Sequence, residues 1–571
     1  MSSEALRTAG GRRLRLSRDD LIVRGVLLAV VAFLVLFLLA PMAAIFLRAV
    51  QDNDGNFSLA HFAAHLQTPS LLRTIWNSVW VSGTVVLISV PMAFVFAYAL
   101  TRSCAPLKST FRLIALIPLL APSLLAAIAF IQWFGNQGVL KPLLGWVGLT
   151  TIYGAPGIII AQVYNTFPHA LMILLTALSL ADGRLYEAAD SLDTSTLRKF
   201  FTITLPSCKY GLISAVTVVF IYVISDFGVP RVIGGNFNVL AVDVYQQVVG
   251  QQNFGRGAVV GLLLLIPAVV SFVIDSRVRR KLHAQLSARS VPYAAKPRRG
   301  FDALMTAYCV LVCVLLLAVV GMALWTSFIK LWPYDLSLTL RHYKFALIEG
   351  DLATAYTNSL KLGAYTAVFG TLTVFVGAYL MEKTRGLELV RPLSHLLAML
   401  PMAVPGLVLG LGYILFFNRP DNPLNFLYAT MPILVLSVII RYYTSSHLTA
   451  VTALKQLDNE FEAVSASLKV PFYKTFFRVT LPVCLPAVLD IARYFFVVSM
   501  ATLSGVVFLY SHDTVLASVA ILNLDGAGKT GPAAALASLI VLTSAAVCLL
   551  YSLATRVLLL KTQAWRSAGR R

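Results

Sequence analysis

The sequence predicts an all-α integral membrane protein of about twelve transmembrane helices, built as two tandem six-helix repeats. Three observations predict it. Of 571 residues, 58% are hydrophobic and only 12% are charged, a balance that soluble domains do not carry. Apolar runs of about 20 residues recur along the chain, long enough to cross a hydrocarbon core at a rise of about 1.5 Å per residue. Short markers also return at a nearly constant distance. Asn77-Ser78 recurs as Asn358-Ser359, Ala97-Tyr98 as Ala378-Tyr379, Pro118 and Pro122 as Pro401 and Pro405, and Leu205-Pro206 as Leu481-Pro482, with offsets of 281, 281, 283 and 276 by subtraction.

The elements follow in order. A basic N-terminal segment, 1–24, carries Arg7, Arg12, Arg13, Arg15 and Arg18. It resembles a secretory signal only in charge, because the apolar run from Gly25 to about Leu47 is too long for a signal core, so that run is read as a retained first span. The first repeat, 25–275, places spans near 25–47, 77–100, 113–134, 156–178, 211–229 and 257–275. The segment 276–303 holds eight Lys and Arg, from Arg277 to Arg299, and reads as a solvated linker. The second repeat, 304–560, places spans near 304–328, 359–381, 394–417, 424–446, 484–508 and 533–559, and a tail follows at 561–571.

The formal net charge of +21 raises nucleic acid as a partner, but the cations gather in alternate loops between spans, as topology determinants do. That reading excludes nucleic acid and puts both termini on the cytoplasmic side of a bacterial inner membrane. Six spans per half keep the repeats in the same orientation, related by a pseudo-two-fold axis along the membrane normal. A solute path on that axis would be lined by both halves.

Two polar interruptions fall on the predicted cytoplasmic side. One, EAADSLDTSTLRKFFTITLP, runs from Glu187 to Pro206; the other, FEAVSASLKVPFYKTFFRVTLP, from Phe461 to Pro482. Each suits a short amphipathic helix, a turn and a second short helix at a membrane surface. The two loops resemble the EAA loop of the permease subunits of binding-protein-dependent ABC importers. The resemblance rests on Glu187, Ala188, Ala189 and Pro206 in the first copy, and on Glu462, Ala463 and Pro482 in the second. The family's usual glycine is replaced by Asp193 and Lys469, and the second copy reads as one residue longer. The resemblance implies the type I importer permease fold. It also implies that each loop docks a separate ATPase subunit, two in all, and that a periplasmic binding protein delivers the solute. ATP and magnesium would sit on those ATPases, with no cofactor on this chain.

Other candidates concern the path. Pro118, Pro122, Pro401 and Pro405 lie inside spans three and nine and predict bent helices near a gate. Asp490 and Arg493, one turn apart, predict an ion pair within span eleven. Asp226 is placed toward the outer end of span five, at the outer mouth of the path. The six cysteines form no CxxC pair and indicate neither disulfides nor zinc. Asp525 to Thr530 imitates a phosphate-binding loop, but Asn523 stands where that motif requires glycine, so the chain lacks a nucleotide site of its own. His61 and His65 have no third metal ligand beside them.

The sequence thus reads as a fused double permease, a transport subunit and not an enzyme. Fused chains of this kind resemble ferric-iron and 2-aminoethylphosphonate importers. The stretches from Ser225, Phe461 and Ser504 favour the phosphonate group. A secondary transporter driven by an ion gradient fits twelve spans equally well, but has no ATPase for the paired loops to dock.

Overall fold

In the computed structural model the described residues are 18–52, 56–59, 62–63, 68–146, 148–284, 291, 293–348, 351–383, 390–458, 460–468 and 470–562. Arg7, Arg12, Arg13, Arg15, His61, His65, Arg289 and Lys469 lie outside them. Nine of the described helices are long and apolar enough to cross a membrane, or eleven if each of two bent pairs counts as one span.

The first half contains α1 (Leu21–Ala49), α2 (Pro69–Arg102), the bent pair α3 (Lys108–Leu120) and α4 (Ser123–Phe134), and α5 (Ala155–Ser179). It continues with α6 (Gly183–Ser191), α7 (Leu205–Ser225), α8 (Gly228–Ile233) and α9 (Phe254–Ala284). The second half repeats the order. It has α10 (Arg299–Phe328), α11 (Leu352–Lys383), the bent pair α12 (Val390–Ala403) and α13 (Gly406–Phe417), and α14 (Met431–Lys455). After these come α15 (Glu460–Ser467), α16 (Leu481–Ala501), α17 (Ala517–Gly526) and α18 (Thr530–Thr562).

The proline pairs do more than bend a helix. Pro118 and Pro122 break the third span by 100°, and Pro401 and Pro405 break its counterpart by 109°. A proline donates no backbone hydrogen bond and clashes with the preceding turn, so two of them four residues apart end one helix and start another. The tenth predicted span is corrected: α14 starts at Met431, not near 424. Residues 418–430 form a turn instead, pinned where Asn422 and Asn425 donate to the carbonyls of Phe416 and Phe417 at 2.7 and 2.8 Å. α14 is 25 residues long, like α5, but carries Arg441 and His447 and is not among the nine apolar spans.

The repeat markers have matching structural jobs. The Ser78 hydroxyl accepts from the Leu240 amide at 2.8 Å, and the Ser359 hydroxyl accepts from the Ala517 amide at 2.8 Å. Leu240 opens a short helix, Leu240–Tyr245, and Ala517 opens its counterpart α17; each hydroxyl satisfies the first amide of its helix, on the side of the fold opposite the two polar loops. Tyr98 packs edge-on against Phe200 at 5.9 Å, and Tyr379 against Phe476 at 4.8 Å, holding the returning segment after each loop.

The halves are interlocked by exchange of their first helices. α1 packs on α13 of the second half, and α10 packs on α4 of the first. The Tyr413 hydroxyl donates to the Phe37 carbonyl at 2.8 Å, while Thr326 donates to the Gln132 side chain at 2.6 Å. The division of the sequence near 275 and 304 is therefore not a division in space: α9 continues to Ala284 and α10 begins at Arg299.

Candidate functional site

The two polar loops are built alike. Asp182 accepts from the Arg184 amide at 3.1 Å, and Asp458 accepts from the Glu460 amide at 3.1 Å, so each helix starts on an aspartate cap. Each ends with a long backward bond, Thr194 N–H to Ala189 O at 3.0 Å and Val470 N–H to Ser465 O at 2.9 Å. Each returns through a π-helical turn, Phe200–Thr204 and Phe476–Thr480, directly before α7 and α16. Asp193 adopts φ +49°, the left-handed conformation that the family's glycine supplies without strain. Asp193→Gly is accordingly expected to stabilise the turn by about 0.5–1 kcal/mol and to slow amide exchange at Thr194 a few-fold, whereas Asp193→Val accelerates it.

Every equivalent pair in these loops is separated by 276 residues, which corrects the sequence alignment. No extra residue is present: Ala463 occupies the exposed place of Glu187, and Glu462 the inward place of Tyr186. Glu462 is therefore not presented to solvent as Glu187 is. It lies 3.7 Å from the Lys383 ammonium, whose side chain is 2% exposed. In the first half the same position is filled by Arg102, stacked between the rings of Tyr186 and Tyr293 at 5.0 and 4.6 Å. Letter matching misplaced the residue because Glu-Ala occurs in both loops one step out of register.

What the loops present outward is apolar. Leu192 is 79% exposed and Leu468 71%; Leu185 and Phe461, and Leu197 and Tyr473, join them as equivalent exposed pairs, and Val464 adds to the second loop. Such side chains, paired across two loops, are left largely unburied by the described residues.

The linker is not a free, solvated strand where it is described. The Gly183 amide donates to the Val291 carbonyl at 2.8 Å, Tyr293 packs on Tyr186, and Arg298 donates to Thr196 at 3.0 Å. Asp190 accepts from Lys199 at 2.5 Å and from Lys296 at 2.7 Å, and these two hydrogen bonds hold its carboxyl down to about 2. The second loop has Ala466 and Thr475 at the places of Asp190 and Lys199, so this strap belongs to the first loop.

Between the halves lies a polar and aromatic cluster that sequence reasoning missed apart from Asp226. His169 of α5 packs on Tyr222 of α7 at 4.3 Å, and Tyr442 of α14 on Tyr494 of α16 at 5.9 Å. Tyr222 is 43% exposed although it sits within the helix bundle, which marks open space beside it. Arg441 donates to the Ser504 hydroxyl at 2.7 Å and lies 5.4 Å over Tyr442. Leu503, beside Ser504, would lie 3.4 Å from a Cβ placed on Gly228 of the first half, so the two halves meet at this locus. The guanidinium fits only because residue 406 is glycine: a Cβ there would fall 0.9 Å from Arg441 Nη1. A charge at bilayer depth costs about 2.5–3.5 kcal/mol on insertion scales, so its presence calls for a use. The signal was available in the sequence as a lone arginine inside a predicted span.

Asp226 is deeper than the outer mouth. It caps the end of α7, accepting from Gln162 at 2.7 Å and from the Val229 amide at 3.0 Å. Gln162 lies seven residues into α5 from Ala155, about 10 Å along the helix. The reason is that α7 stops at Ser225 and the chain turns back as α8. Asp490 and Arg493 do pair, at 3.1 Å, within one helix rather than across the halves. Toward the loop side, a cavity of about 340 Å³ is lined by Thr101, Lys108, Ser109, Arg112, Thr176 and Ser179, among others. No group of three His, Cys, Asp or Glu able to hold a metal occurs among the described residues.

Comparison with known proteins adds to this geometry. The family described as binding-protein-dependent transport system inner membrane component matches residues 89–284. The chain is similar to the ferric transport system permease protein FbpB of Actinobacillus pleuropneumoniae, 28% identical over 564 residues, covering 96% of this chain and 80% of that one. It is also similar to the putative ferric transport system permease protein FbpB 1 of Haemophilus influenzae, 27% identical, with 89% and 81% covered. The molybdenum transport system permease protein ModB of Escherichia coli is 30% identical over 157 residues, 27% of this chain and 69% of that one.

Proposed function

The chain belongs to the family of binding-protein-dependent transport system inner membrane components, and from that premise we propose that it forms, by itself, the pore of an ATP-driven importer. The observation that carries this reading is the pair of loops with matched caps, matched π-turns and matched exposed leucines. Two ATPase subunits dock there, one per loop, on the cytoplasmic side of a bacterial inner membrane, with both termini on the same side. A periplasmic binding protein delivers solute to the opposite side. Closure of the ATPases on ATP moves the loops and switches access to the cluster between α5, α7, α14 and α16. The chain supplies no chemistry of its own. A transporter driven by an ion gradient would leave the exposed leucines without a partner.

Ferric iron is the proposed cargo, supported by the names of the two relatives that align with nearly the whole chain. A second reading, 2-aminoethylphosphonate, is favoured by one observation, the arginine on the path. The test is uptake into proteoliposomes containing this chain, its ATPase and its binding protein. ATP-dependent accumulation of ferric iron is expected. Accumulation of the phosphonate alone would replace the cargo, and uptake that follows an ion gradient and ignores ATP would overturn the importer reading.

A further inference from the structure

We propose that Arg441 is a charge filter at the centre of the path, and that cargo passes it as an anion bearing oxygen atoms. The inference rests on the reading of this chain as an importer pore and narrows what that pore takes. Arg441 lies ten residues from the Met431 end of α14, about 15 Å along the helix. Its position is built rather than incidental, since Gly406 leaves the space, Ser504 holds one nitrogen and Tyr442 supports the plane. No carboxylate lies within 4 Å of it among the described residues. Asp226, whose Oδ2 accepts from Gln162 and from the Val229 amide, forms no ion pair with it.

Two further observations point the same way. Asn165 stands at the place equivalent to Arg441 in the first half, 276 residues earlier, and its side-chain Nδ2 is buried without a hydrogen-bond partner. The two positions related by the repeat thus offer a guanidinium and an unused amide donor, both suited to oxygen acceptors. Asn165, His169, Met172, Thr176 and Ser179 then run down one face of α5 at helical spacing. That face leads into the cavity where Lys108 and Arg112 stand with no carboxylate in the lining. A bare trivalent cation would be repelled from the cavity to Arg441. An oxyanion, or a metal wrapped in oxyanion ligands, would be drawn along it.

The test reads the field directly in the full-length chain in membranes. Ser445, exposed one turn beyond Arg441, is replaced by cysteine in a background carrying Cys104→Ser, the exposed native thiol. Labelling rates are compared for an anionic and a cationic methanethiosulfonate of similar size. The anionic reagent is expected to react about tenfold faster relative to its rate with a free thiol. Arg441→Gln is expected to erase that preference and Arg441→Lys to keep it. Equal rates in the parent, an unchanged preference in Arg441→Gln, or no labelling by either reagent would each overturn the filter. Uptake of 2-aminoethylphosphonate against ferric citrate, each lost in Arg441→Gln and retained in Arg441→Lys, tells a free oxyanion from a metal complex. Absence of ATP-driven uptake in the parent would count against the importer reading while the labelling result stood.

Discussion

Leu192→Asp and Leu468→Asp, combined, are expected to release the ATPase subunits and abolish ATP-driven uptake while the chain stays folded in the membrane. Each leucine projects from its loop with most of its surface bare. Burying such a side chain in a partner's groove contributes about 1.5–3 kcal/mol. Aspartate forfeits that and adds the cost of desolvating a charge, so each single variant should weaken its own ATPase contact about a hundredfold or more. The side chains contribute little to packing in the free chain, so its thermal midpoint should move by no more than a surface substitution moves it. Glu187→Lys makes a useful contrast: Glu187 is exposed, and reversing a rim charge costs about 1 kcal/mol or less. Affinity of purified ATPase for the chain in nanodiscs measures all of this. Binding of the double variant within threefold of the parent would remove the leucines from the docking surface.

Much of this architecture was legible in the sequence, for reasons that single residues make plain. Span lengths follow from the solvent, and the repeat followed from markers whose roles are now visible: Ser78 and Ser359 cap equivalent short helices, and Pro118 and Pro401 open equivalent breaks. The polar loops stood out because a hydrophobic chain has little other reason to interrupt itself twice with the same pattern. What stayed hidden depended on contacts between distant segments. The linker reads as solvated because its cations dominate its composition, yet Val291 and Tyr293 fasten it to the first loop. A lone arginine in a span is a visible signal, but what Arg441 does depends on Gly406 and Ser504, neither of them near it in sequence. Asp226 lies deeper than its place in an apolar run suggests, because α7 stops at Ser225 and the carboxylate accepts from the Val229 amide at the start of α8.

The strap on the first loop and the ion pair under the second make the two loops unequal. In the first, Arg102 is supported by two tyrosine rings and by the Leu178 carbonyl at 2.8 Å, with no carboxylate paired to it among the described residues. In the second, Lys383 donates to the Leu457 carbonyl at 2.9 Å and faces Glu462. The same task, fixing the loop helix to the end of the second span, is done once by stacking and once by charge.

Glu462→Ala is therefore expected to be a stability mutation, where alignment by motif would make it a docking mutation. Removing one partner of a largely buried pair takes a contact from an enclosed ammonium and costs about 1–3 kcal/mol. Lys383 is the more enclosed of the two, 2% exposed against 21% for Glu462, so it cannot simply turn to water. The thermal midpoint of the chain should fall clearly, and the second loop should lose ATPase affinity as a consequence of its own disorder. Glu187→Ala, the change that looks identical on paper, should leave the midpoint within the range of a surface substitution. Pairing Glu462→Leu with Lys383→Met should restore most of the lost stability, because apolar groups of similar volume commonly replace a buried pair at little cost. On this reading the ion pair anchors the loop helix within the chain. If the Leu/Met double variant regained its midpoint but still failed to bind the ATPase, Glu462 would have to touch the partner directly and the register assigned to the second loop would be wrong by one residue.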